Sequence, residues 1–233
     1  MPNVGTIGLH RLVADLNPTF NRAPRRQPTL TLPTLKSEIA ATAAALVVEE
    51  GLEYGPAKRR ALKQLALPAR TALPDNDQME DAVREYLTLF CADTQPGELL
   101  ALRGVALVWM ERLAAFRPYL TGAVWHGTAT RLSDIYIQLF CDDPKSAEIA
   151  LIEHNVDYEP RTVTGFTGGS VEALSLSSLC RPLNETIGIH LMVYDHDDLR
   201  GALRPDAKGR VPRGDLAAVQ KLLSVPLELK SES

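Results

Sequence analysis

A chain of 233 residues with 45% apolar and 23% charged side chains can bury a full core, as one large domain or two small ones. Its net charge of −4 lacks the electrostatic footprint of a nucleic-acid-binding domain. The balance is uneven, because residues 1–36 carry Arg11, Arg22, Arg25, Arg26 and Lys36 against Asp15 alone, which leaves 20 basic and 28 acidic side chains beyond them.

Cys91, Cys141 and Cys180 are odd in number, far apart and without CxxC spacing. That pattern argues against a disulfide framework or zinc knuckle and for a reducing cytoplasm. No apolar run approaches the ~20 residues of a membrane span, so no membrane partner is expected. The N-terminus lacks the charged start and apolar middle of a secretory signal. It is acid-poor, as transit peptides are, but its prolines disfavour an amphipathic helix.

In chain order, Pro2, Pro18, Pro24, Pro28 and Pro33 with little periodicity predict a flexible arm over residues 1–33. A helical region is expected over 34–117. Thr34 can cap a helix running to Gly51, with Ile39, Ala43, Leu46 and Val47 as its apolar stripe. Pro56 suits the first position of a second helix, whose Lys58, Arg59, Arg60 and Lys63 form a solvated basic face. After a loop, Met79, Val83, Tyr86, Leu87 and Phe90 mark a third helix from about Asp77 to Phe90. Thr94, Pro96 and Glu98 open a fourth to about Phe116, with a stripe of Leu99, Leu102, Ala106, Trp109, Met110 and Leu113.

After Pro118 the pattern changes, and residues 118–225 read as a domain of strands interleaved with helices, with a short tail over 226–233. Tyr119–Trp125 and Asp134–Cys141 are predicted as strands. Asp143 and Pro144 begin a helix to about His154. Thr162–Phe166 and Val171–Ser177 form a hairpin through Thr167-Gly168-Gly169-Ser170. Ile187–Tyr194 is predicted as the last strand, before short helices near Asp197–Leu203 and Asp215–Leu223. The fold class is therefore α+β or mixed α/β, a helical N-terminal layer followed by a mixed-sheet domain.

The stretch GAVWHGTATRLSDIYI resembles the signature of the nucleotidyltransferase superfamily, a Gly-Ser pair, a GTA-type turn and a Ser-Asp-apolar-Asp-apolar strand. Gly122-Ala123 stands at the Gly-Ser position, Gly127-Thr128-Ala129 at the turn and Ser133-Asp134-Ile135-Tyr136-Ile137 at the strand, without a gap. The later run IGIHLMVYDHDDL resembles the strand carrying that family's third carboxylate, with His190 near its position. The resemblance implies that Gly122, Gly127, Thr128, Arg131 and Ser133 meet a nucleotide. It also implies that Asp134 is a ligand of Mg²⁺, the cofactor an active enzyme would call for, and that Asp134 and His190 are the catalytic candidates.

Nucleotidyl transfer needs carboxylate oxygens to hold Mg²⁺ against phosphate, and a glycine turn whose N–H groups approach the phosphates. Residues 134, 136 and 138 alternate onto one strand face, so acids there would converge on a metal. This chain keeps Asp134 but has Ala123 for the serine, Tyr136 for the second acid and His190 for the third, with neutral Gln138 beside them. Tyr and His are poor ligands for Mg²⁺. They leave open a transition-metal site, a general base at His190 or a simple strand-face histidine.

Other candidates carry less. Asp195-His196-Asp197-Asp198 has the residue types of a metal cluster, but acids at a helix start also complement its dipole. Arg200, Arg204, Lys208, Arg210 and Arg213 form a basic loop, either solvated or embracing an anion. A P-loop ligase of the UDP-N-acetylmuramate–alanine type is unsupported, since Lys208-Gly209 is the only pair of those residues and stands in the wrong order. No GxSxG elbow supports Ser/His/Asp catalysis. The expected function is a nucleotidyltransferase-like protein with a degenerate metal site, binding a nucleotide or a protein partner. The alternatives are an active transferase using Asp134 and a non-enzymatic interaction module.

Overall fold

Three helices come first among the described residues, and side-chain caps fix the starts of the first and third. A computed structural model describes residues 34–203, 205 and 209–224. The expected arm over 1–33, the tail over 226–233, and Arg204 and Lys208 of the basic loop lie outside them. Helix α1 (Leu35–Glu50) starts where the Thr34 hydroxyl accepts from the Ser37 N–H at 3.2 Å, and stops at Gly51, whose φ of +68° suits glycine. Helix α2 (Tyr54–Gln64), with Glu53 as its N-cap residue, begins two residues before the predicted start at Pro56. Proline is tolerated there because the first-turn N–H groups have no intrahelical acceptor. Helix α3 (Asn76–Phe90) carries a reciprocal capping box between Asp75 and Gln78. Ile39, Ala43, Leu46, Ala57, Ala61, Leu62 and Met79 join α1–α3 into one apolar cluster.

The basic face of α2 is less solvated than expected. Lys58 is buried and its Nζ donates to Asn76 Oδ1 at 2.8 Å, while Arg60 pairs with Glu50.

Helix α4 (Gln95–Arg112) packs elsewhere. It gives way to a 3-10 turn at Ala114–Phe116, short of the predicted end, and buries Leu99, Leu102, Ala106, Trp109 and Met110 in a second core under a sheet. The elements that follow are β1 (Tyr119–Thr121), α5 (Gly122–His126), β2 (Ile135–Cys141), α6 (Pro144–Glu153), β3 (Glu159–Thr164), β4 (Ser170–Cys180), β5 (Glu185–Asp195), a 3-10 turn at His196–Asp198, α7 (Leu199–Ala202), β6 (Arg213–Gly214) and α8 (Leu216–Ser224).

Two strand expectations are corrected. The strand predicted over Tyr119–Trp125 ends at Thr121, because Gly122 takes φ +69° and turns the chain into α5, which buries Val124 as one helical turn. β5 is not the last strand, because the two-residue β6 pairs with β1.

The sheet order is β3-β4-β5-β2-β1-β6, with β2 and β5 parallel and all other pairs antiparallel. The chain is thus an α+β protein with N-terminal helices and a mixed sheet. Period-two alternation divides the faces. Ile135, Ile137 and Leu139 of β2, with Ile187, Ile189, Leu191 and Val193 of β5, join the core shared with α4, α6 and α8. Tyr136, Gln138 and Phe140 point the other way, across from His190, Met192 and Tyr194. No helix among the described residues is long and apolar enough to cross a membrane.

Candidate functional site

The segment joining α5 to β2 is held by polar side chains of α4, of which Arg103 is buried. Arg103 donates from Nε to the Val124 carbonyl at 3.1 Å and from Nη2 to the Trp125 carbonyl at 3.3 Å. These are C-terminal carbonyls of α5, left unpaired by so short a helix. Burial lowers the Arg103 pKa from its ordinary value. About two turns earlier, Gln95 Nε2 donates to the carbonyls of Gly127 and Ala129 at 3.1 and 2.9 Å, and Glu98, between Gln95 and Arg103 on the helix, accepts the Arg131 N–H at 2.9 Å. Inside the segment, Ser133 Oγ accepts the Thr130 N–H at 3.0 Å and the Ser133 N–H returns to the Thr130 carbonyl at 2.9 Å. Gly51 closes the arrangement from the helical side, where an added Cβ would lie 3.1 Å from Leu132 Cβ.

Between this segment and helices α1–α3 lies a cleft of about 450 Å³. Gly122, Ala123, Thr128, Ser133, Asp134 and Tyr136 line it from the sheet domain, and Glu53, Tyr54, Asp77 and Glu80 from the helical side. Five residues expected from the sequence, Gly122, Thr128, Ser133, Asp134 and the motif position Tyr136, therefore share one concavity. Gly127 and Arg131 do not line it. The Gly127 carbonyl faces Gln95, and the Arg131 guanidinium pairs with Glu185 at the start of β5.

Asp134, just before β2, accepts from His190 Nε2 at 3.2 Å, and His190 Nδ1 lies 2.9 Å from Ser175 Oγ. Ser175, His190 and Tyr136 form a row, because Ser175 and His190 are register partners across β4 and β5 and His190 and Tyr136 across β5 and β2, and Asp134 joins it from the residue before β2. Gly188 permits the approach, since a Cβ there would stand 2.5 Å from Asp134 Oδ1. The His190 hydrogen bond, helped by the Gly188 N–H and opposed by burial, holds the Asp134 carboxyl below the usual carboxylate range. His190 does not line the cleft. Its ring stacks on Tyr136 at 4.8 Å and 30°, and with Ser175 it faces a separate hollow.

The Tyr136 phenol donates to Glu53 Oε1 at 2.6 Å, joining the sheet to the link between α1 and α2. Burial first, then that carboxylate, pushes the Tyr136 pKa well up and keeps the phenol protonated. Tyr54, also in the cleft, is pushed up to about 12, chiefly by burial and then by the charge of Glu80.

Glu80 is the residue that sequence reasoning missed. It is 6% exposed and receives Arg84, His126 and Arg210 at 2.8–2.9 Å, while Arg210 also reaches Asp77 at 3.0 Å. The only local signal for it is the Glu80–Arg84 spacing on α3. Its partners at 126 and 210 come from the tertiary fold. Thus Arg210, from the basic loop, is committed to carboxylates of α3. Arg213 is buried, bonded to Gln138 and set 4.3 Å from the Phe166 ring, so it is neither solvated nor open to an anion. Asp195 caps the turn after β5 by accepting the Asp197 N–H at 2.8 Å.

The donor set does not fit the Mg²⁺ centre that the motif implies. Asp134 is bonded to His190, Tyr136 is a protonated donor to Glu53, and Gln138 is turned to Arg213. Among the described residues no group of three His, Cys, Asp or Glu side chains is placed to hold a metal. Magnesium favours several hard oxygen ligands in near-octahedral geometry, and this arrangement offers one motif carboxylate. The chain matches no family model, no curated protein and no solved structure.

Proposed function

We propose that this chain is a cytoplasmic, nucleotidyltransferase-like protein that binds a nucleotide in the cleft and has lost the metal-dependent transfer step. The observation that carries this reading is the convergence of Gly122, Thr128, Ser133, Asp134 and Tyr136 on one cleft of about 450 Å³, a volume suited to a small molecule. The hydroxyls of Tyr54 and Ser133, with the Glu53 and Asp134 carboxylates, suit the sugar hydroxyls and amino groups of a nucleoside. The basic side chains that line the cleft, His126 and Arg210, are already engaged with Glu80 and Asp77. A triphosphate would therefore meet little uncompensated positive charge, which favours a nucleoside or monophosphate. Three scattered free thiols support the cytoplasmic assignment.

Isothermal titration with ATP, GTP, CTP and UTP and their monophosphates, with and without Mg²⁺, tests the reading. Saturable binding that weakens in Asp134→Asn and changes little with Mg²⁺ is the expected result. No heat of binding at millimolar ligand would end it. Turnover abolished in Asp134→Asn would replace it with an active transferase.

A further inference from the structure

Residues 176–180 of β4 have a strand neighbour on one side only. Pairing with β3 ends at Glu159 opposite Ser175, whereas pairing with β5 continues to Glu185 opposite Cys180. A stretch of sheet edge is thereby left open among the described residues. The other edges are blunted, because β3 begins Glu159-Pro160-Arg161 and β6 has only two residues. Charges, proline and shortness are what discourage added strands. Residues 176–179 read Leu-Ser-Ser-Leu, with no charge, proline or glycine.

Beside that edge α4 leaves an apolar groove of about 620 Å³. Gly97, Ala101 and Gly104 lie along it, with Leu100 and Val108 exposed to 38% and 47% and Leu179 of the edge to 59%. Apolar side chains gathered at an unpaired edge mark an interaction surface. Arg112 and Arg181 also line the groove, and neither forms an ion pair among the described residues.

We propose that residues 176–180 and the α4 groove receive an extended, acid-flanked segment of a protein partner, which adds to β4 as a further strand. Backbone hydrogen bonds to the open edge supply the main attraction. Alternate apolar side chains of the segment enter the groove, and its carboxylates meet Arg112 and Arg181. A second copy of this chain suits the groove poorly, since it would set Arg112 and Arg181 of one copy against the same arginines of the other.

The test uses the full chain and a fluorescent synthetic peptide of alternating valine and threonine flanked by glutamates. Anisotropy should show saturable binding, and hydrogen exchange should slow at residues 176–180. Leu179→Lys, and Arg112→Ala combined with Arg181→Ala, should each weaken binding about tenfold. These exposed positions leave the fold intact, which circular dichroism checks. Methylating alternate peptide amides should abolish binding, since it removes ladder donors. Absence of saturable binding at millimolar peptide overturns the proposal. So does indifference to amide methylation, protection confined to other residues, or sedimentation showing that the chain self-associates through this edge.

Discussion

Replacing Gly214 by alanine sets a methyl carbon against the indole of Trp125. On the present backbone that carbon would lie 2.0 Å from Cζ3, 2.3 Å from Cη2 and 2.7 Å from Cε3, where carbon–carbon contact is most favourable at about 3.5–4.0 Å. The ring is not free to swing aside, because its Nε1 donates to the Val211 carbonyl at 2.7 Å and the carbonyl of its own residue is held by Arg103. Nor can the strand retreat easily, since Leu120 and Thr121 pair with Gly214 and Arg213, and the Thr121 hydroxyl donates to the Pro212 carbonyl at 3.1 Å. Overpacking of this kind costs about 1–3 kcal/mol, and losing the indole hydrogen bond adds about 1 kcal/mol. Gly214→Ala should therefore destabilise the protein by about 2–4 kcal/mol in urea unfolding followed by far-UV circular dichroism. Because Arg210 and Pro212 line the cleft, ligand binding should weaken as well. Trp125→Ala removes the obstacle, so the double variant should lose less than the sum of the single losses by at least about 1 kcal/mol. A Gly214→Ala protein within about 0.5 kcal/mol of wild type, or strict additivity with Trp125→Ala, would refute the reasoning.

Three further outcomes follow from the same geometry. Arg103→Met leaves the Val124 and Trp125 carbonyls without their donor, and chemical denaturation should register a loss of about 2–4 kcal/mol, partly restored in Arg103→Lys. A loss below about 0.5 kcal/mol would show the carbonyls to be otherwise satisfied. Gly188→Ala drives the Asp134 carboxylate from His190, but Asp134 is half-exposed and can turn to solvent, so the loss should stay near 1 kcal/mol. A loss of several kcal/mol would count against that account. The pH dependence has a definite sign. Asp134 is held below its ordinary value in the folded state, so its contribution is present above the unfolded pKa and disappears as pH falls through the folded one. Urea midpoints measured down an acid series should fall less steeply in Asp134→Asn than in wild type, and parallel curves would exclude the linkage.

The ends of most helices were legible in the sequence because their causes lie within one turn. Thr34 meets Ser37, Asp75 meets Gln78, and Gly51 takes the left-handed conformation that stops α1. Alternation likewise marked β2 and β5, since the spacing that buries Ile135, Ile137 and Leu139 is visible without a partner strand. Local preference failed at Val124 and Trp125, β-prone residues that become helical because Gly122 turns the chain and the core receives Val124 from that direction. It also could not place α4, whose stripe fits either a helical layer or the underside of a sheet, nor reveal the two-residue β6.

The candidate site divides in the same way. The sequence alone determined that Gly122, Thr128, Ser133 and Asp134 lie in one short segment, and that Tyr136 and His190 stand where a metal motif would have acids. Tertiary structure alone decided what those residues touch. Asp134 and His190 are 56 positions apart, Glu53 and Tyr136 are 83, and Asp77 and Arg210 are 133. Caps and alternation are short-range effects of backbone geometry, whereas the chemistry of a carboxylate depends on neighbours that only the packing of distant segments supplies.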